Sequence, residues 1–258
     1  MNADPRFAGL GRLYGAGADR LAAAHVLVVG IGGVGSWAAE ALARSGVGTI
    51  TLLDGDEICV SNVNRQVQAL DGAIGQPKVE ALAARLRAIH PAGRVHAVNA
   101  FFRIATSAQL LAGPFDYVID AIDGVTPKAA LIAGCRERGW PVVTCGGAGG
   151  KTDPAQVRVE DLARTNNDRL LFFLRKKLRS RFGFPSRGLF HVPCICSPEP
   201  VRWPTGCPVP NDEDSLLGEN PVNCDGRLGA ACFLTGVFGF HAAAVVVNHL
   251  AGEIGDRK

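Results

Sequence analysis

Two cations follow closely on an acidic turn in this sequence: Asp54-Gly-Asp-Glu-Ile-Cys-Val-Ser61-Asn62-Val-Asn64-Arg65-Gln66, then Gly75-Gln-Pro-Lys78. Fixed cations suit a reaction in which one anion attacks another, such as a carboxylate on the α-phosphate of ATP, because they offset the repulsion. A hydride-transfer site has no need of them. Just upstream lies Gly30-Ile-Gly-Gly-Val-Gly35. Gly30 and Gly32 permit a tight turn and close backbone approach, so that amides at a helix start can face a phosphate. Asp54 stands where a carboxylate accepts hydrogen bonds from ribose hydroxyls. The glycine turn and Asp54 alone suit a nicotinamide dehydrogenase equally well; Arg65 and Lys78 favour ATP. Further on, Tyr117-Val-Ile-Asp120 and Asp123 supply carboxylates. One of them can hold Mg²⁺, which takes one or two carboxylates plus phosphate oxygens. Asp120 is the better candidate for a helix cap, which leaves Asp123 for the metal.

These residues need a scaffold that brings them together, and the hydrophobic pattern supplies one. His25 to Gly30 is a short apolar, β-branched run, as in a strand buried on both faces. The glycine turn follows, then a helix over Ser36 to Arg44 closed by Gly46, then a strand over Thr49 to Leu53 ending on Asp54. This is a βαβ unit with a right-handed crossover. A helix is predicted from Lys78 to His90, stopped by Pro91, and a strand from Arg94 to Ala100. Two further buried strands, Tyr117 to Asp120 and Pro141 to Thr144, flank a helix over Lys128 to Arg138. The alternation predicts an α/β, Rossmann-like doubly wound fold with a mainly parallel sheet and an extended C-terminal region. Its nucleotide crevice lies at the carboxyl ends of the strands.

At 258 residues, with 47% hydrophobic and 20% charged residues, the chain has ample material for one core. We expect a single domain over 1–258, with a long loop from Pro185 to Pro221, where proline and cysteine replace periodicity. Leu228 to Val247 nearly has the length to cross a bilayer, but its internal glycines and His241 favour a buried core helix over a membrane span. The start, Met1 to Gly9, lacks the apolar stretch of a secretory signal, so eight cysteines point to reduced thiols in a cytoplasm. A net charge of +3 neither demands nor opposes a nucleic-acid partner.

The ordered set Gly33, Asp54, Ser61, Asn62, Arg65, Gln66, Lys78 and Asp123 resembles the ubiquitin-activating-type superfamily, which includes the activators of sulfur-carrier proteins. The resemblance implies binding of ATP and Mg²⁺, carboxylate adenylation, and a homodimer in which an arginine of the partner's amino terminus reaches the phosphates. Arg6 or Arg12 would serve here. It assigns nucleotide binding to Gly30, Gly32, Gly33, Gly35, Asp54, Ser61, Asn62, Asn64, Arg65, Lys78 and Asp123, and catalysis to Arg65, Lys78 and Asp123. Relatives further suggest a structural Na⁺ or K⁺ and a sulfur-relay partner of the cysteine desulfurase system. The sequence lacks the paired Cys-x-x-Cys that binds zinc in many sulfur-carrier activators; Cys194-Ile-Cys196 and Cys207 do not replace it.

Thr144-Cys-Gly-Gly-Ala-Gly-Gly150-Lys-Thr-Asp-Pro154, Asp161-Leu-Ala-Arg-Thr165, Asn223-Cys224 and Val237-Phe-Gly-Phe240 are similar to the tRNA threonylcarbamoyladenosine dehydratases. That similarity implies a tRNA substrate whose threonyl carboxylate is adenylated and then closed into a ring by its own ureido group. The alternative is an adenylyltransferase acting on the C-terminal glycine of a ubiquitin-like sulfur carrier. Arg164, Arg169, Arg175, Lys176, Lys177, Arg179, Arg181 and Arg187 crowd one region and suit RNA phosphates, or else form a solvated helix face. Cys145 and Cys224 are candidate thioester nucleophiles only if their thiol pKa values are low; buried, inert cysteine is the default.

Overall fold

The computed structural model describes residues 4–203, 205 and 228–252. Two short helices, α1 (Ala8–Tyr14) and α2 (Gly17–Ala23), lead into β1 (His25–Val29), α3 (Gly35–Arg44) and β2 (Thr49–Asp54). Then come α4 (Lys78–Ile89), β3 (Arg94–Asn99), α5 (Ser107–Leu110), β4 (Tyr117–Asp120), α6 (Val125–Arg138) and β5 (Val142–Cys145). The chain continues through β6 (Arg158–Asp161), α7 (Arg169–Phe182), β7 (Pro193–Cys196) and α8 (Cys232–Ala251). Among the described residues the strands form one seven-stranded sheet in the order β3-β2-β1-β4-β5-β7-β6. Every pairing is parallel except that of β6 with β7.

β1 is the strand from which the sheet grows in both directions, with Val29 opposite Leu53 of β2 and Asp120 of β4. Its registers bring the carboxyl ends of β1, β2 and β4 to one edge. The reversal of strand order on either side of β1 opens the crevice there. β1 and β4 are apolar almost throughout because helices cover both faces. On one face Leu42, Val79, Leu82, Leu86, Phe238 and Val246 pack over the sheet. On the other lie Leu131, Ile132, Leu171, Leu174 and Leu178.

α8 has the length and apolar composition of a membrane span, but half of its most apolar stretch is buried within the fold. A β-carbon at Gly239 would lie 2.6 Å from Val34 O and 2.8 Å from Ala38 N of α3. That glycine lets α8 and α3 approach closely, so it belongs to a core helix.

Three elements depart from the pattern read in the sequence. α6 begins at Val125, earlier than Lys128, because Pro127 is tolerated in a first turn where amides have no partner inside the helix. β6 carries Arg158, Glu160 and Asp161, as suits a strand at a sheet edge. The stretch from Pro185 to Pro221 is not all loop: β7 lies within it, between β5 and β6. Pro193 disguises β7 in the sequence, yet as its first residue it costs little hydrogen bonding. Of the remainder, 204 and 206–221 lie outside the described residues.

Candidate active site

The glycine turn between β1 and α3 is shaped by contacts that a side chain would prevent. Gly30 has φ of +89°, and a β-carbon there would stand 2.7 Å from Ala121 O. At Gly35 it would stand 1.8 Å from Gly30 O, and at Gly33 it would stand 3.1 Å from Thr235 Cγ2 and 3.4 Å from Arg65 Cγ. Gly32 differs, since among the described residues nothing lies within 4 Å of its would-be β-carbon. The fold requires Gly30 and Gly35; the open space over Gly32 suits a ligand approaching the backbone. We therefore expect Gly30→Ala to destabilise the protein by about 1–3 kcal/mol through backbone strain alone. Gly32→Ala should melt close to the wild type yet bind ATP more weakly; melting curves beside calorimetric ATP titration separate the two effects.

Asp54 ends β2 and clamps the turn. Its Oδ2 accepts from the Ile31 amide at 2.6 Å and its Oδ1 from the Asp56 amide at 2.8 Å. Burial raises the Asp54 carboxyl above its ordinary range, opposed by the Lys78 ammonium and by these two amides. Asp56 in turn pairs with Lys78, Nζ to Oδ2 at 2.6 Å. Lys78, the first residue of α4, is 6% exposed, so its charge is fixed at the turn and not free in solvent. The acid after the second strand, the lysine and the glycine turn thus form one hydrogen-bonded unit.

Arg65 occupies the loop between β2 and α4, beside Gly33. Its carbonyl accepts from Trp37 Nε1 at 3.0 Å, and its Nη1 donates to Ser61 O at 2.7 Å and to Asn64 Oδ1 at 2.9 Å. Asn64 Nδ2 donates to Ala230 O at 2.9 Å, tying this loop to the chain before α8. Asn62 is buried and its Oδ1 accepts from the Cys59 amide at 3.1 Å, so its side chain shapes the loop. Ser61 is exposed. Asp123 is exposed just past the end of β4, on the opposite side of the crevice.

Asp120 is completely buried and does not cap α6, whose N-cap residue is Gly124. Instead Asp120 Oδ2 lies 3.0 Å from Lys128 Nζ and accepts from Thr144 Oγ1 at 2.7 Å. Lys128 Nζ also donates to Ile122 O at 2.9 Å. The pair holds the β4–α6 connection that carries Asp123. Lys128 is a residue that sequence reasoning passed over, because a lysine in an apolar helix looks solvent-facing. Its only signal was its position among Ala129, Ala130, Leu131 and Ile132.

One other sequence candidate, Cys145, is buried away from solvent. Burial pushes the Cys145 thiol up to about 12, which disfavours a thiolate near neutral pH. Cys145→Ala should keep full turnover; a trapped enzyme thioester lost in that variant would contradict this. Cys207, Asn223 and Cys224 lie outside the described residues. Arg6 pairs with Asp4 at 3.0 Å, and Arg12 stands exposed on α1. Of the basic stretch, Arg175 Nη1 donates to Thr165 Oγ1 at 2.5 Å and Lys177 Nζ to Thr126 Oγ1 at 2.6 Å.

Known proteins are similar to this chain over half to nearly all of its length. The tRNA threonylcarbamoyladenosine dehydratase of Escherichia coli K12 is 48% identical over 251 residues, 95% of this chain and 91% of that protein. A crystal structure of the E. coli tRNA N6-threonylcarbamoyladenosine dehydratase in complex with ATP superposes with a TM-score of 0.84 at 45% identity, covering 95% of this chain and 93% of that one. The E. coli molybdopterin-synthase adenylyltransferase is 41% identical, but over 128 residues, 50% of this chain and 51% of that protein. The ThiF family matches residues 6–181, which contain the glycine turn, Asp54, Arg65, Lys78 and Asp123. With two thirds of its length matched, this chain belongs to the ThiF family.

Proposed function

We propose that the chain is an ATP-dependent tRNA threonylcarbamoyladenosine dehydratase. The observation that carries this reading is the hydrogen-bonded unit of glycine turn, Asp54, Asp56 and Lys78, with Arg65 against Gly33. Similarity to a dehydratase runs through 95% of the chain, whereas similarity to a sulfur-carrier adenylyltransferase stops at half of it.

In this reading the α3 amides face the ATP phosphates and Asp54 faces the ribose. Arg65 and Lys78 offset the charge that gathers as a threonyl carboxylate oxygen attacks the α-phosphorus and pyrophosphate leaves. The ureido nitrogen then attacks the acyl carbon, a C–N bond forms, and AMP departs with the former carboxylate oxygen. The nitrogen's proton is released, and the nucleoside has lost one water. The nucleophile belongs to the substrate, so proximity supplies the rate and no enzyme nucleophile is required.

Asp123 would hold Mg²⁺, which supplies neutralising charge on the departing pyrophosphate. One exposed carboxylate suits an ion that keeps phosphate and water ligands. Among the described residues no cluster of three or more His, Cys, Asp or Glu side chains offers an all-protein metal cage. Among the described residues Gln68 Oε1 is buried without a hydrogen-bond partner, and Gln68 Nε2 donates to Ile31 O at 3.0 Å. That oxygen would suit a structural Na⁺ or K⁺ beside the turn. A homodimer is supported by Val60, Val63, Phe233 and Phe240, which expose large apolar side chains. A tRNA substrate supports a cytoplasmic location.

The test is mass spectrometry of nucleosides after incubation with ATP, Mg²⁺ and tRNA carrying linear threonylcarbamoyladenosine, under mild conditions. Loss of one water's mass supports the reading. No loss, together with ATP–pyrophosphate exchange on adding a sulfur-carrier protein, would transfer the adenylation chemistry to the alternative substrate.

A further inference from the structure

Helix α7 buries one face and displays another. Leu171, Leu174 and Leu178 pack into the core, while Phe172, Arg175, Lys176, Arg179 and Ser180 line a groove of about 440 Å³. These positions fall at the three- and four-residue spacing of a single helix side. Phe172 is 55% exposed, a large apolar surface to leave in water. Its ring is braced edge-on by Phe173, centroids 5.2 Å apart, and Phe173 in turn lies under the Arg169 guanidinium at 5.9 Å. The groove therefore has an ordered aromatic floor among cations, and α7 itself contains no acidic residue.

The orientation of α7 matters as much as its composition. Its N-cap Asp168 accepts from the Gly147 amide at 2.8 Å, just beyond the carboxyl end of β5. Phe172, in the first turns, thus sits toward the sheet edge where the crevice opens. Arg175, Lys176 and Arg179 follow further from that edge.

Resting on the dehydratase reading, we propose that this groove binds a single-stranded segment of the tRNA loop, with an unpaired base stacked on Phe172 and the backbone phosphates along Arg175, Lys176 and Arg179. An exposed aromatic with adjacent cations is what unpaired RNA requires: a π surface for a base and positive charge for its phosphates. Duplex RNA, with its bases stacked inside, would use only the cations. The order along α7 suits a substrate whose modified base enters the crevice while a neighbouring loop base rests on the helix start.

The experiment measures binding of an unmodified anticodon stem-loop, and of a fully paired RNA of equal charge, across a range of salt. Phe172→Ala should weaken stem-loop binding by about 5- to 100-fold, from the usual contribution of base–aromatic stacking, without changing the salt slope. Phe172→Trp should retain affinity, and the paired RNA should not distinguish the variants. Lys176→Ala should instead lower the slope for both RNAs by about one. Calorimetric ATP binding checks that each variant is folded. Stem-loop binding by Phe172→Ala at wild-type strength, or an equal loss for both RNAs, overturns the proposal. In either case the water-loss assay on the wild type still decides the reaction, so failure of the groove and failure of the dehydratase reading are distinguishable.

Discussion

Arg65→Ala is expected to slow dehydration by about 100- to 1,000-fold, the usual cost of removing a group that stabilises transition-state charge. ATP affinity should change far less, because the cation matters most when carboxylate and phosphate oxygens crowd the phosphorus. The fold should survive: the Arg65 carbonyl, which anchors Trp37, remains, and among the described residues the guanidinium hydrogen-bonds only within its own loop. Lys78→Met should behave similarly, leaving Asp56, at 38% side-chain exposure, to be solvated. Single-turnover rates alongside ATP titrations measure both quantities. Wild-type turnover in Arg65→Ala and Lys78→Met would remove both residues from the chemistry.

The second large effect concerns stability. Asp120→Ala should cost about 3–5 kcal/mol, since it strands the Lys128 ammonium in the core with no countercharge. Neither side chain of the pair has any exposure, so water cannot compensate. Lys128→Met should be comparably harmful, because burial already raises the Asp120 carboxyl pKa and Lys128 is the chief opposing influence. Together, Asp120→Ala and Lys128→Met should cost clearly less than the sum of the single changes, as coupled neighbours do. Urea unfolding of the four proteins checks this. Additive losses would mean that the two groups act independently, and that the β4–α6 connection is held by packing instead.

Much of this fold was legible because its strands are buried on both faces. His25–Val29 and Tyr117–Asp120 are continuous apolar runs, and the glycine turn with Asp54 punctuates them. β6 and β7 were harder: β6 is a charged edge strand, and Pro193 interrupts the run that β7 needs. The cations Arg65 and Lys78 were legible from type and spacing. Their supports were not, because Asp56 binding Lys78 and Asn62 capping Cys59 depend on the turns between them. The sequence offers both Asp120 and Asp123 and favours Asp123 for the metal, but reads Asp120 as a helix cap; only the structure shows Asp120 to be a core carboxylate while Asp123 is exposed past β4. Lys128 shows the same limit from the other side, since sequence cannot show that a lysine has an aspartate waiting in the core.

The claim at the centre of this account is that the threonyl carboxylate, and no other group, is adenylated. It is tested most directly with tRNA whose threonylcarbamoyl carboxylate carries ¹⁸O, incubated with the protein, ATP and Mg²⁺ in unlabelled water. The account predicts that one labelled oxygen appears in the phosphate of AMP while the cyclic nucleoside keeps the other. Unlabelled AMP beside a dehydrated nucleoside would contradict it, since water would then have left without passing through an acyl-adenylate.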